Sequence, residues 1–111
     1  MNWISLNKPE QLEAIKEHSK TKPQLIFKHS TRCNISAMAL SRMERSTAPE
    51  NVDFYLLDLI AHRNISNSIA EDFQVYHQSP QILLIVNGEC IFDESHTGIS
   101  MDDITEQTSL K

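Results

Sequence analysis

The chain has 111 residues, 40% of them hydrophobic and 23% charged, with a formal net charge of −5. That length and apolar share suit a single folded domain, residues 1–111, with a real core, and exclude a disordered chain. The acidic balance argues against a nucleic-acid binder, whose phosphate contacts need clustered Lys and Arg, and the longest apolar run, Ile82–Val86, is too short to cross a bilayer.

Trp3–Leu6 reads as a short first strand. Asn7-Lys8-Pro9-Glu10 opens a helix, with Asn7 as cap, Pro9 in the first turn and Glu10 three residues after the cap. Leu12 and Ile15 share one face of it, and Thr21-Lys22-Pro23 ends it. Leu25-Ile26-Phe27 is a continuous apolar run, as expected of a buried central strand. A short polar turn follows, and Cys33 stands at the first turn of the next helix. In that helix Ile35, Met38, Ala39 and Met43 follow i, i+3, i+4, i+8 spacing and predict the core face, while Arg42, Glu44 and Arg45 lie outside.

Ala48-Pro49-Glu50-Asn51 stops this helix, and Val52–Leu59 is the next strand. Ile65, Ile69 and Phe73 mark a short helix opening near Arg63 or Asn64. Tyr76-His77-Gln78-Ser79-Pro80 turns into the strand Gln81–Val86. Asn87-Gly88 is a strong hairpin signal, with Glu89–Phe92 as the return strand. Ser100-Met101-Asp102-Asp103 opens a last helix running toward Leu110. The order β-α-β-α-β-α-β-β-α predicts an α/β, thioredoxin-like fold: a central four- or five-stranded mixed sheet flanked by helices, parallel in its first part, with an antiparallel edge.

A cysteine at a helix start is chemically distinctive. Unpaired backbone N–H groups and the positive end of the helix dipole favour the thiolate, the nucleophilic form. Arg32 adds a formal positive charge beside it in sequence. Two cysteines, Cys33 and Cys90, make neither a disulfide scaffold nor a zinc site, and His62, His77 and His96 have no metal-ligand spacing. Cys90 reads as a small buried strand residue, the alternative being a distant resolving thiol. A lone reactive thiol and the lack of a basic-then-apolar leader point to the reducing cytoplasm.

Four segments are familiar together: Trp3 with Leu6, the Lys28–Ser36 stretch Lys-His-Ser-Thr-Arg-Cys-Asn-Ile-Ser, Arg63-Asn64-Ile65-Ser66-Asn67, and His77-Gln78-Ser79-Pro80-Gln81. Over nearly its whole length the chain resembles the monothiol bacilliredoxins, thioredoxin-like proteins of the bacillithiol system also called general stress proteins. The resemblance implies a thiol–disulfide oxidoreductase that removes bacillithiol, or a similar low-molecular-weight thiol, from protein mixed disulfides.

In that reading Cys33 is the nucleophile. Ser36 takes the place of a dithiol enzyme's resolving cysteine and is available to hydrogen-bond the Cys33 sulfur. Asn34 borders the site where proline is common in the motif, which leaves the redox potential open. Pro80 after Ser79 is the expected cis-proline, presenting Ser79 to the incoming group.

Arg32, Lys28 and His29 form a positive rim for the carboxylates of the thiol, with Arg63 contributing from its helix opening. Gly98 and Ser100, at the start of the last helix, offer a further anion site, as the corresponding region does in glutaredoxin-like folds. The implied co-substrate is the low-molecular-weight thiol, with no tightly bound cofactor and no metal. The partners are thiol-capped proteins, and the chain is expected to act as a monomer without nucleic acid or membrane. The competing reading is a non-catalytic adaptor or stress-response binding protein that kept the fold. Nothing resembles a peroxidase motif.

Overall fold

A computed structural model of the chain describes residues 1–109. Its elements are β1 (Trp3–Ser5), α1 (Gln11–His18), β2 (Gln24–His29), α2 (Asn34–Arg45), β3 (Asp53–Asp58), α3 (Arg63–Phe73), β4 (Gln81–Val86), β5 (Glu89–Ser95) and α4 (Met101–Ser109), with a one-turn 3₁₀ helix at His96–Gly98. Leu110, toward which the last helix was expected to run, lies outside the described residues.

The strands form one five-stranded sheet in the order β1-β3-β2-β4-β5. β1, β3 and β2 run parallel, while β4 is antiparallel to β2 and β5 to β4. Successive side chains of a strand face opposite sides, so the central strands feed two cores. Ile26, Leu83 and Ile85 pack with Leu12 and Ile15 of α1 and with Ile65, Ile69 and Phe73 of α3. Leu25, Phe27, Ile82 and Leu84 pack with Ala39 and Met43 of α2 and with Met101 and Ile104 of α4. Burial on both faces is why β2 and β4 read as continuous apolar runs. Each such side chain contributes about 1.5–3 kcal/mol on burial.

The Asn-Gly signal is realised as a tight hairpin, with Asn87 at φ 53° and Gly88 at φ 78°. Those left-handed angles are the ones a type I′ turn requires. β5 runs three residues beyond the expected Phe92, pairing through a one-residue register shift between Leu84 and Ile85 as far as Ser95 opposite Gln81.

The opening of α1 also differs from expectation. Asn7 does not cap it. Instead the Gln11 side chain reaches back and accepts the N–H groups of Asn7 (2.8 Å) and Lys8 (2.9 Å). The helix starts at Gln11, after a tight turn closed by the Gln11 N–H on the Lys8 carbonyl at 3.1 Å.

In α2 the buried residues are Ser36, Ala39 and Met43, whereas Ile35 is 48% and Met38 63% exposed. The core stripe therefore lies one residue away from the phase that Ile35 and Met38 suggested. Adjacent helix positions differ by about 100°, and Ser36 occupies the inward slot.

Candidate active site

The three parallel strands end together. β2 finishes at His29 opposite Asp58 of β3, and β4, running the other way, begins at Gln81 opposite Lys28. The turn after β2 and the turn before β4 therefore meet at one sheet edge. The first carries Cys33 and the second Ser79-Pro80, whose peptide bond is cis, as the resemblance implied.

Cys33 is the N-cap of α2, one position earlier than its expected place in the first turn, with extended backbone at φ −114° and ψ 120°. Its N–H donates to the Ser30 carbonyl at 3.2 Å, and its carbonyl accepts the Ala37 N–H at 3.0 Å, the first turn of the helix. The side chain is half-buried and reduced. No side-chain hydrogen bond caps this helix, so its first N–H groups face the site unclaimed by a side chain. Arg32 and Asn34 flank Cys33, both exposed.

Ser36 does not serve the sulfur. It is fully buried, and its Oγ accepts the Ser30 N–H at 3.0 Å and lies 2.6 Å from His29 Nδ1. With no other acceptor in reach among the described residues, the Ser36 hydroxyl donates to Nδ1. His29 therefore carries its proton on Nε2. Burial pushes the His29 pKa down, against the opposing pull of the Asp58 and Glu44 carboxylates, which keeps the ring neutral. A serine at the resolving position thus ties the end of β2 to the first turn of α2.

Lys28 is likewise not part of a rim. It is 0% exposed and points to the α3 side of the sheet, where Nζ donates to the Ser66 carbonyl at 3.2 Å and to His77 Nδ1 at 3.4 Å. No carboxylate pairs with it among the described residues, and burial drives its pKa down to about 8. His77 in turn has a lowered pKa, from burial first and then from the charges of Lys28 and Arg63. Arg63 thus reaches this end of the molecule from the opening of α3 and stays exposed. The cations at the mouth are Arg32 and Arg63, with Lys28 beneath them.

The turn before β4 is braced by Gln81, which donates to the Tyr76 carbonyl at 3.0 Å and accepts the Gln78 N–H at 3.4 Å. Ser79 Oγ is shielded from solvent and has no partner among the described residues.

At the expected anion site, Ser100 lines a cavity of about 240 Å³ with Arg42, Arg45, Ser46, Met101 and Asp102. α4 begins at Met101, Ser100 Oγ already accepts the Asp103 N–H at 3.2 Å, and the first turn carries Asp102 and Asp103. Gly98 lies against Glu94, whose Cδ and Oε1 would stand 2.7 Å from a Cβ placed there. The Glu94 carboxylate beside Gly98 and Asp102 near Ser100 set negative charge against an incoming carboxylate there.

Cys90 lies at the opposite end of the sheet, paired with Ile85, which is close to the Gln24 start of β2. The length of β2 alone separates the two cysteines by roughly 16 Å, well beyond the Cα spacing of about 7 Å that a disulfide tolerates. Burial and the nearby Asp93 push its pKa up to about 11. No cluster of metal-ligating side chains forms among the described residues.

Comparison with known proteins agrees with this geometry. Residues 4–104 match the family model described as "Monothiol bacilliredoxin BrxC". The chain belongs to the monothiol bacilliredoxin family. A solved protein described as a candidate oxidoreductase with a thioredoxin fold is 30% identical, with a TM-score of 0.83 over 95% of this chain and 92% of its own. Thioredoxin from Malassezia sympodialis is 16% identical, with a TM-score of 0.73 over 98% of this chain and 90% of its own. Thioredoxin from Fasciola hepatica is also 16% identical, with a TM-score of 0.67 over 96% of each chain. These last two show the shared fold, and the family match carries a thiol redox role to this bacilliredoxin.

Proposed function

We propose that this bacilliredoxin removes bacillithiol, or a similar low-molecular-weight thiol, from protein mixed disulfides through Cys33. The observation that carries the reading is a thiol at the N-cap of α2, at the same end of the sheet as the cis Ser79-Pro80 bond, whose would-be resolving neighbour is a serine bonded to His29. The Cys33 thiolate attacks the cap sulfur of a protein–S–S–cap disulfide. The sulfur–sulfur bond breaks, the protein thiolate departs and takes up a proton, and Cys33 holds the cap as a mixed disulfide. Ser36 cannot expel it. A second molecule of the low-molecular-weight thiol attacks the cap sulfur, forms the free disulfide and returns the Cys33 thiolate.

Ile35 and Met38, exposed on α2 one turn from Cys33, suit docking of a target protein's apolar surface. Arg32 and Arg63 suit an anionic portion of the cap. The buried, unpaired Ser79 hydroxyl suits a hydrogen bond to the arriving group. Two free thiols suit the cytoplasm.

The test is mass spectrometry after incubation with a bacillithiol-capped model protein. Cys33 gains the cap in step with its loss from the substrate. If Cys33 stays unmodified while an unrelated exposed thiol takes the cap, the chain is a non-catalytic adaptor on the same fold.

A further inference from the structure

The turn that carries Ser79 is tied down at one point. Among the described residues, His77 is the one side chain of residues 76–80 that hydrogen-bonds another element. Its Nδ1 lies 3.2 Å from Ser66 Oγ on α3 and 3.4 Å from Lys28 Nζ on β2. Lys28 Nζ also donates to the Ser66 carbonyl at 3.2 Å. An ammonium has donors and no acceptor, so Nδ1 is the acceptor of this pair and the ring proton sits on Nε2. The end of β2, the first half of α3 and the turn before β4 therefore meet at one imidazole nitrogen.

The charges set toward that nitrogen are of one sign. Lys28 comes from β2 and Arg63 from the opening of α3. The cross-strand neighbours of Lys28 are Leu57 of β3 and Gln81 of β4, neither of them charged. Glu71 of α3 and the neutral Tyr76 share with His77 a cavity of about 540 Å³, and the Glu71 carboxylate makes no ion pair with the ring among the described residues. A proton added at Nδ1 would set an imidazolium N–H against an ammonium. The Ser66 hydroxyl can turn and accept that N–H, whereas Lys28 cannot, and two cations are left facing each other.

We propose, resting on the exchange role of Cys33, that Lys28 and His77 are positioning residues for that exchange: the buried ammonium holds the neutral ring, the ring holds the turn, and the turn sets Ser79 at the sheet edge it shares with Cys33. Burial and the charges of Lys28 and Arg63 keep the His77 pKa below its ordinary 6.5, so the link is closed at neutral pH and opens as pH falls through that pKa. Above the Lys28 value of about 8 the amine still has an N–H to donate, and the link persists.

The experiment measures, by mass spectrometry from about pH 5 to about pH 8, how fast Cys33 takes the cap from a bacillithiol-capped model protein. That rate is divided by the rate of Cys33 alkylation by iodoacetamide, which follows the thiolate. His77→Asn brings an acceptor that does not titrate, and His77→Leu brings none. At neutral pH His77→Asn is expected within about twofold of the parent and His77→Leu about tenfold slower, the worth of one hydrogen bond to a charged group. At the acid end the parent falls about fivefold relative to His77→Asn, by the same arithmetic. Lys28→Met transfers the cap about tenfold more slowly at neutral pH, although it unfolds in urea no sooner than the parent. In a histidine NMR titration it raises the His77 pKa, because the facing cation is gone.

A ratio of parent to His77→Asn that is flat with pH, a His77→Asn as slow as His77→Leu, a Lys28→Met at parental speed, or a His77 pKa indifferent to Lys28 overturns the positioning role and leaves exchange at Cys33 standing. A Cys33 that iodoacetamide alkylates but that takes up no cap overturns the exchange role, and the positioning role with it.

Discussion

At the end of the sheet where β1, β2 and β3 finish, polar groups are driven inside: Lys28, Ser36, Ser66 and Gln81 are all buried there. At the other end Ser19 and Gln24 are buried as well, and Ser19 closes the turn by accepting the Gly88 N–H on Oγ at 2.8 Å and the Asn87 N–H on its carbonyl at 2.8 Å. Each end has one cysteine. Cys33 is set at a helix start, whereas Cys90 is half-buried on a strand, its Sγ donating to the Phe92 carbonyl at 3.4 Å. A cysteine's chemistry is thus decided by which end of the strands holds it. Buried polar groups cost stability, and this fold carries that cost at both ends, with the buried amine of Lys28 at the end that holds Cys33.

The largest expected effect is on exchange. Cys33→Ser lowers cap uptake by more than about a hundredfold, because no other thiol at that edge can replace it, while Cys90→Ser leaves the rate within about twofold. A rate assay with mass-spectrometric readout checks both, and uptake that depends on Cys90 breaks the contrast between the ends.

Next comes the burial of Lys28. Its pKa falls from 10.5 to about 8 on folding. Below pH 8 the amine is charged in both states, and the full penalty of burying it is present. Between pH 8 and 10.5 the unfolded chain holds more protons than the folded one, so the Lys28 contribution becomes more favourable as pH rises. Lys28→Met is therefore expected to gain most over the parent at neutral pH. The difference between the two proteins shifts in the parent's favour by about 3 kcal/mol by pH 10.5. Urea unfolding at pH 7 and pH 10 measures the shift, and a difference constant with pH removes Lys28 as a buried cation.

The sequence could not reveal that burial. A lysine at the end of a strand ordinarily reaches water, and only the fold of α3 over that face brings Ser66 and His77 onto its amine. Ser36 was legible as the resolving position but not as the partner of His29, because that bond joins a strand end to a helix whose rotation the apolar pattern misplaced. Ile35 and Met38 drew the predicted stripe outward for the same reason, and a serine in the core slot gave no counter-signal. The order of elements, the Asn87-Gly88 turn, Cys33 at a junction and the cis-proline at Pro80 were all legible. They rest on local rules or on the family pattern, which need no knowledge of what packs across from them.

A smaller effect is expected from Ser36→Ala. It strands the Ser30 N–H and His29 Nδ1 in a buried place, at a cost of about 1–3 kcal/mol, and Cys33 still takes up the cap. Lost exchange at unchanged stability would return the hydroxyl to the sulfur. The smallest belongs to the far end. Ser19→Ala removes the acceptor of the Gly88 N–H, costs about 1 kcal/mol in thermal or urea unfolding, and leaves exchange untouched.

The most direct test of the central claim uses the unmutated protein with one equivalent of a bacillithiol-capped substrate at pH 7, quenched early and mapped by peptide mass spectrometry. With its pKa pushed up to about 11, Cys90 is thiolate in only about one molecule in ten thousand at that pH. The account predicts that essentially all of the transferred cap is found on Cys33. A cap shared evenly between the two cysteines, or found first on Cys90, would contradict it.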